Sequence, residues 1–404
     1  MKKQTMAVAA LAGIVANGAS AQTSVTLYGL IDTGIQYQSS STSLGSTSGG
    51  RSVVKMSNGV WQGSRFGLTG KEDIGGGTQV IFTLESSFNS GTGAAVPTNG
   101  MFGRRSFVGL TNPAYGTVTI GRQYTSYYTL LVPYSPINWL TGYAGAHPGD
   151  IDSMDSSYRA NNSVLYVSPS FHGLTVSGYY ALGGVPGAFN RGSTWSAAAQ
   201  YLNGPFGIAA AFLRINNSTL GGGAWGADST TSSGGSQPGV SALTYGYRNN
   251  QAQQRMAVAG GWQFSPAFDI SLSYSNVQYI PGVNSGFRDE AIFNTGGAVL
   301  HWKPRIEWDL AAGYAYTRAT EANGVKSPAH YSQFNLMQYY NLSKRTGLYL
   351  LEAYQRASGQ TYALSANGVG SIIGATANVG DGMNSTPSSS GSQFVGIAGI
   401  IHRF

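Results

Sequence analysis

A two-residue rhythm governs this chain. From Ser24 onward, Val25, Leu27, Gly29, Ile31, Ile35 and Tyr37 fall on one side, and Thr26, Tyr28, Asp32, Gly34 and Gln36 fall on the other. Side chains of a strand alternate with period two, so 24–38 reads as a two-faced strand. The same alternation returns to the end of the chain. Phe66 and Leu68 alternate with Arg65, Thr69 and Lys71, and Val80, Phe82 and Leu84 with Gln79, Thr83 and Glu85. Ile270, Leu272 and Tyr274 form a later face, as do Ile306, Trp308, Leu310, Ala312, Tyr314 and Tyr316. The connections alternate as well. Gly-, Pro- and Asn-bearing tight turns fall at 73–77, 112–116, 168–173, 203–205, 265–267, 304–305 and 343–346. Long connections fall near 39–59, 92–100, 127–158, 185–192, 217–252, 280–288, 319–331 and 358–391. Fifteen connections predict about sixteen strands, with every long loop at one end.

Charge decides what such an all-β chain is. Only 10% of residues are charged, against about 25% in a soluble globular protein. Gly, Tyr, Ser and Thr fill the polar faces instead. A soluble sandwich or propeller also gives many short strands. Against it stand the aromatic residues near strand ends, such as Tyr28, Tyr37, Trp308 and Tyr316, placed as interfacial girdles are. A membrane barrel faces lipid outside and is polar inside, and an even strand number with short turns at one end suits it. Residues 1–21 read as a cleaved export signal: Lys2 and Lys3, an apolar run over 6–15, and Ala19-Ser20-Ala21. That run is shorter than the about 20 residues a membrane-spanning helix needs. The expected organisation is thus a leader over 1–21 and one barrel domain over 22–404. Without Lys2 and Lys3 the net charge falls from +7 to +5. The absence of cysteine fits an exported protein without disulfides.

Several stretches resemble one family. They are SVTLYGLIDTGI from Ser24, SRFGLTGKEDIGGG from Ser64, FGRRSFVGL from Phe102, YGTVTIGRQ from Tyr115, NSVLYVSPSFHGL from Asn162, NLSKRT from Asn341, and the closing IHRF. Together they resemble the trimeric general-diffusion porins of the Gram-negative outer membrane, of the beta-proteobacterial type. The resemblance implies a sixteen-stranded transmembrane antiparallel barrel in outer-membrane lipid, a homotrimer, and a third outer loop folded into the pore. It also implies that Phe404 is an assembly signal read by the outer-membrane insertion machinery.

A pore selects by its width and by the charges at its narrowest point. Strand parity turns Arg65, Lys71, Arg105 and Arg159 toward the lumen, with Glu85 and Asp32 as lumen acids, and leaves Arg104 at the outer rim. Arg122 by parity faces lipid, so a bulge near Gly121 is expected to turn it inward. These arginines flank the long segment 123–159, whose second half carries Asp150, Asp152 and Asp155. The expectation is a constriction with a basic wall (Arg65, Arg105, Arg122, Arg159, Lys71) opposite three loop acids, with moderate anion preference. Tyr124, Tyr127 and Tyr128 line the eyelet or pack the loop root. Porins of enteric bacteria carry Pro-Glu-Phe-Gly-Gly in this loop; here the nearest match is Pro148-Gly149.

Other classes find little support. A hydrolase needs a Ser–His pair with an orienting acid or amide, and of five histidines only His301, near Ser271 or Ser273, suits one. Asp150, Asp152 and Asp155 lack the spacing of a calcium loop, so no metal and no cofactor is expected. Positive charge is spread along strands rather than massed as in nucleic-acid binders. The nearest rival to a general diffusion channel for small hydrophilic solutes and anions is a substrate-specific channel for sugars, phosphate or organic acids.

Overall fold

The computed structural model describes residues 24–97, 100–141, 143–155, 158–226, 230, 239–365, 368–381 and 386–404. The expected leader lies outside the described residues. The strands in chain order are β1 (Ser24–Ser41), β2 (Arg51–Asn58), β3 (Arg65–Gly75), β4 (Thr78–Phe88), the two-residue β5 (Ala95–Val96), β6 (Arg105–Asn112) and β7 (Gly116–Gln123). Then follow β8 (Ala160–Val167), β9 (Leu174–Ala181), β10 (Thr194–Asn203), β11 (Phe206–Asn216), β12 (Ala252–Ser265), β13 (Phe268–Ile280) and β14 (Ala291–Arg305). The last are β15 (Trp308–Ala319), β16 (His330–Asn341), β17 (Thr346–Ser358), the hairpin β18 (Gln360–Leu364) and β19 (Gly370–Gly374), and β20 (Ser392–Arg403).

These strands make a closed antiparallel barrel of 16 staves. β2 and β3 are two halves of one interrupted stave, since β1 pairs with β3 from Ser24 to Leu30 and with β2 from Thr33 onward. The seam closes where β1 meets β20, with Leu30 opposite Arg403 and Gln38 opposite Val395. Phe404 finishes it: its N–H donates to the Gly29 carbonyl at 3.0 Å and its carbonyl accepts from the Gly29 N–H at 3.1 Å. The outer face is apolar, as Val54 (68% exposed), Leu272 (58%) and Phe334 (57%) show.

Two boundaries differ from the sequence reading. The first long loop is shorter than 39–59, because β1 runs to Ser41 and β2 starts at Arg51. Residues 59–64 instead turn into the lumen, where Val60 is fully buried and the Trp61 ring packs at a tilt against Tyr339, 4.7 Å between centroids. The turn expected at 304–305 sits at 306–307, so Ile306 is an exposed turn residue and not part of the apolar face.

The third long loop, 124–159, folds inside the barrel. It begins with a short helix, α1 (Ser126–Leu131), capped by the Thr125 hydroxyl, which accepts the Tyr128 N–H at 3.3 Å. Pro133 and Pro136 then open two single-turn 3-10 segments. Tyr127, Leu131, Met154 and Tyr158 bury themselves against Ala209 of β11 and Ala257 and Ala259 of β12. The wall is cut to receive the loop: a Cβ at Gly207 would meet Tyr134, one at Gly297 would meet His147, and one at Gly313 would meet Leu140. The loop then crosses to the seam side. Gln333 donates to the Ala146 carbonyl at 2.8 Å, Asn335 to the Ala144 carbonyl at 2.6 Å, and Gln36 of β1 to the Tyr143 hydroxyl at 3.3 Å.

Filling one of these sockets unseats the loop. Overpacking of this kind costs about 1–3 kcal/mol. Gly297→Val is expected to lower the urea midpoint of unfolding and to enlarge and destabilise the single-channel conductance, whereas Gly296→Val, whose Cβ meets nothing within 4 Å, is expected to leave both unchanged.

Candidate functional site

One row of the barrel wall organises the charged site. Tyr28 on β1 pairs with Gly67 on β3, Gly67 with Glu85 on β4, and Glu85 with Arg105 on β6. Gly67 has no side chain to obstruct the row, and a Cβ there would press on the Tyr28 ring. Tyr28 therefore reaches across and donates to Glu85 Oε2 at 2.8 Å. This ring lies inside the barrel and is no part of a girdle. Arg105 Nη2 meets the same oxygen at 2.9 Å, and Arg104 Nε meets Glu85 Oε1 at 2.8 Å. The carboxylate is fully buried, and its ion pairs are charge-assisted hydrogen bonds of the stronger kind.

Arg104 was expected at the rim and instead sits at the centre of the cluster, 8% exposed. Parity fails there because β6 starts only at Arg105, and the Arg104 N–H bonds the Glu85 carbonyl as the chain turns in. Its Nη2 donates to the Tyr124 hydroxyl at 2.9 Å, and Arg159 Nη2 donates to the same oxygen at 2.7 Å. The Arg159 guanidinium also lies 4.5 Å over the Tyr124 ring, a favourable cation–π placement. Arg65 lies beside the row, its Nη2 3.4 Å from the Gln62 side-chain oxygen. Four guanidiniums thus surround one carboxylate and one phenol. Burial alone would favour the neutral Tyr124 phenol, but Arg159, Arg104 and Arg65 outweigh it and bring its pKa down to about 8.

The other candidate residues lie elsewhere. Lys71 is lumen-side by parity, but six residues of strand separate it from Arg65, or about 20 Å; it stands exposed near the short-turn end and outside the cluster. Arg122 follows a register shift at Gly121, whose φ of +142° suits glycine. Its Nε donates to the Gly103 carbonyl at 2.7 Å and its Nη1 to the Asn161 side chain. It therefore ties the end of the second loop to the root of the third. Asp32 points inward yet is fully buried, accepting from the Trp61 and Gln62 N–H groups at 2.6 and 2.7 Å and from the Tyr349 hydroxyl at 2.6 Å. It holds the 59–64 excursion in place.

All three loop acids are buried, with Asp150 6%, Asp152 0% and Asp155 5% exposed. Asp152 is fully buried and accepts from His147 Nδ1 at 2.6 Å and from the Ser275 hydroxyl of β13 at 2.7 Å. Burial opposes the His147 charge, but the Asp152 carboxylate prevails and raises its pKa, while His147 in turn lowers that of Asp152. Asp150 accepts the Asp155 N–H at 2.9 Å. Burial, with Asp150 and Asp381 beside it, holds Asp155 well above the usual carboxylate range. Arg255 of β12 adds a bond from Nε to the Ile151 carbonyl at 3.2 Å. The acids are anchors, because His147, Ser275, Arg255 and Asp381 lie on or against the wall where the loop seats. Arg255, on the inner face beside Ala257 and Ala259, was legible by parity; the Asp381 contact had no local signal.

The architecture is that of a membrane β-barrel channel with an internal constricting loop and a guanidinium-rich wall. Comparison with known proteins agrees. The Gram-negative porin family model matches residues 7–360, and the chain belongs to that family, whose members reside in the outer membrane. An outer membrane porin protein of Bordetella pertussis is 35% identical over 239 residues, 54% of this chain and 60% of that protein, so the match spans less than two thirds of its length. Outer membrane porin protein 32 of Delftia acidovorans is 27% identical over 383 residues, 91% of this chain and 94% of that one. Among solved structures, an anion-selective porin from Comamonas acidovorans superposes with a TM-score of 0.68 at 22% identity, covering 95% of this chain and all of the other.

The depressed Tyr124 pKa gives a sign. Between pH 7 and 9 the phenol ionises and cancels one positive charge of the cluster. Anion over cation permeability is expected to fall across that interval in the unsubstituted protein and to stay flat in Tyr124→Phe, as read from reversal potentials at each pH.

Proposed function

We propose that this porin is a passive diffusion channel for small hydrophilic solutes and ions with a preference for anions. The arrangement of Arg65, Arg104, Arg105 and Arg159 around the single carboxylate of Glu85 carries the reading. Arg105 keeps 33% of its side chain exposed, and low-dielectric walls focus the field of such a cluster on the lumen. Asp152 is paired with His147, and burial beside Asp150 and Asp381 disfavours the charged form of Asp155, so these two acids oppose that field less than free carboxylates would. The matched Comamonas porin is described as anion-selective, which is the same sign. The working unit is a homotrimer, and the Phe404 ring, 46% exposed over Gly29, is the signal for the insertion machinery.

The channel performs no covalent chemistry. A hydrolytic reading would now rest on Ser273, His147 and Asp152, since His147 Nε2 stands 3.2 Å from Ser273 Oγ. But His147 is only 2% exposed and wedged against Gly297, and it serves the loop seat. His301, the other candidate, lies between Asp269 at 2.7 Å and Asp309 at 3.2 Å and stacks on Trp139 at 3.4 Å, with neither Ser271 nor Ser273 as a partner.

Planar-bilayer recording under a salt gradient tests the proposal. Anion selectivity is expected, and Arg65→Gln with Arg105→Gln is expected to lower the permeability ratio several-fold. Each lost charge is worth about 1 kcal/mol at 4 Å in water and more in a low-dielectric lumen. Cation selectivity would overturn the charge argument, and absence of conductance the channel itself. Block by one sugar, phosphate or organic acid at low concentration would replace general diffusion by the substrate-specific alternative.

A further inference from the structure

The last long connection carries a small sheet of its own, separate from the barrel. β18 and β19 pair in uninterrupted register, from Gln360 opposite Gly374 to Leu364 opposite Gly370. At its two ends the Ser365 N–H donates to the Val369 carbonyl at 2.9 Å, and the Ala375 N–H to the Gly359 carbonyl at 3.0 Å. Hydrogen-bonded and non-bonded pairs alternate along an antiparallel ladder. Those two bonds therefore make Ala363 with Ser371, and Thr361 with Ile373, the bonded pairs. The N–H and carbonyl groups of Gly370, Ile372 and Gly374 point away from β18. By the same parity Gln360 points away from β19, and its N–H is taken up by the Ser327 carbonyl at 2.7 Å. The β18 side of the hairpin is thus covered. On the β19 side, no described residue hydrogen-bonds to the main chain of Gly370, Ile372 or Gly374. All three are exposed, and so is Ser371.

We propose that this edge is a docking surface for an extended polypeptide segment of another protein, which joins the hairpin as a third strand. That the edge faces out of the cell rests on the porin reading, which puts the long loops there. Folded proteins guard free edges with charge, proline or bulges. Here the register has no bulge, and no Asp, Glu, Lys, Arg or Pro occurs from Ala357 to Gly380. Val369 and Ile372 add apolar surface, 67% and 42% exposed. The nature of the occupant follows from the repeat. Outward donors and acceptors recur every second residue, about 7 Å apart, which is the spacing of another strand's own main chain. Saccharides and lipid headgroups carry no such ladder. In strand addition the main chain supplies affinity and alternate side chains supply specificity. Ile372 calls for an apolar or β-branched residue opposite it. Gly374, where a Cβ would meet nothing within 4 Å, leaves room for a larger one alongside.

Fluorescence polarisation of a labelled peptide of alternating threonine and valine, added to full-length protein refolded in detergent, tests the edge. Binding is expected. Methylating the backbone nitrogens of the peptide keeps every side chain and removes the donors, and is expected to weaken binding several-fold. Ile372→Pro is expected to weaken it likewise. The N–H it removes is one that β18 does not use, so proline is tolerated there as on other edge strands. Ile372→Lys, which guards the edge with a charge, is a second variant expected to lose binding. Bilayer conductance and selectivity are expected to be unchanged in both. Absence of binding, or equal binding of the methylated and unmethylated peptides, would overturn the proposal without touching the channel. So would full binding by either variant when its heat-modifiable gel mobility shows it folded. If the unsubstituted protein elutes from gel filtration as a larger assembly than Ile372→Pro, a second copy of this chain occupies the edge and the assignment to another protein falls.

Discussion

No backbone group facing hydrocarbon has water to turn to, and everything else in this molecule follows from that. A sheet in a membrane has to close, because each unpaired N–H or carbonyl at an open edge costs several kcal/mol. Here closure is made between the first and last strands, and Phe404 bonds back to Gly29 at the foot of the seam. Closure forces alternation on every stave, and alternation sorts the side chains. Val54, Leu272 and Phe334 go out; Asp32, Gln36, Glu85 and Arg105 go in.

The inside is divided unevenly. The inner faces of β11, β12 and β15 are rich in Ala and Gly, and these staves belong to the half that receives the third loop. The half made by β1, β3, β4 and β6 keeps bulk and charge. Large and small residues on the wall therefore decide where the loop lies, and the loop decides which arginines remain near open space. Glu85 then matters beyond its own charge. Without a buried carboxylate, Arg104 and Arg105 would repel each other at close range, and removing one partner of such a network leaves an uncompensated buried charge. Tyr124 does similar work for Arg104 and Arg159, accepting a hydrogen bond from each.

Much of this was legible from period and parity. The strand number, the alternation of tight and long connections, and the inward direction of Arg65, Arg105, Glu85 and Asp32 all follow from a side-chain repeat of two. Parity stops where a strand stops. Arg104 was misplaced because it precedes β6 by one residue, and Tyr28 because strand-end position is a weaker sign than which face it shares. Lys71 obeyed parity but lay too far along its strand, a coordinate that parity does not carry. The aspartates were read as charges when two of their partners, Ser275 and Asp381, are distant in sequence and meet them only through the fold. A long-range contact between loops leaves no periodic trace.

One contact has a consequence for how the molecule is made. The loop that narrows the lumen is encoded in the first half of the chain, yet it rests on Ser275, Gln333 and Asn335, and its Asp155 lies beside Asp381. Its seat does not exist until the second half of the barrel has formed. Narrowing is therefore a late event, and a barrel caught before that step is a wider, less discriminating hole. A bacterium inserting this protein has reason to complete the closing strands quickly, since the permeability of its outer membrane depends on residues synthesised last.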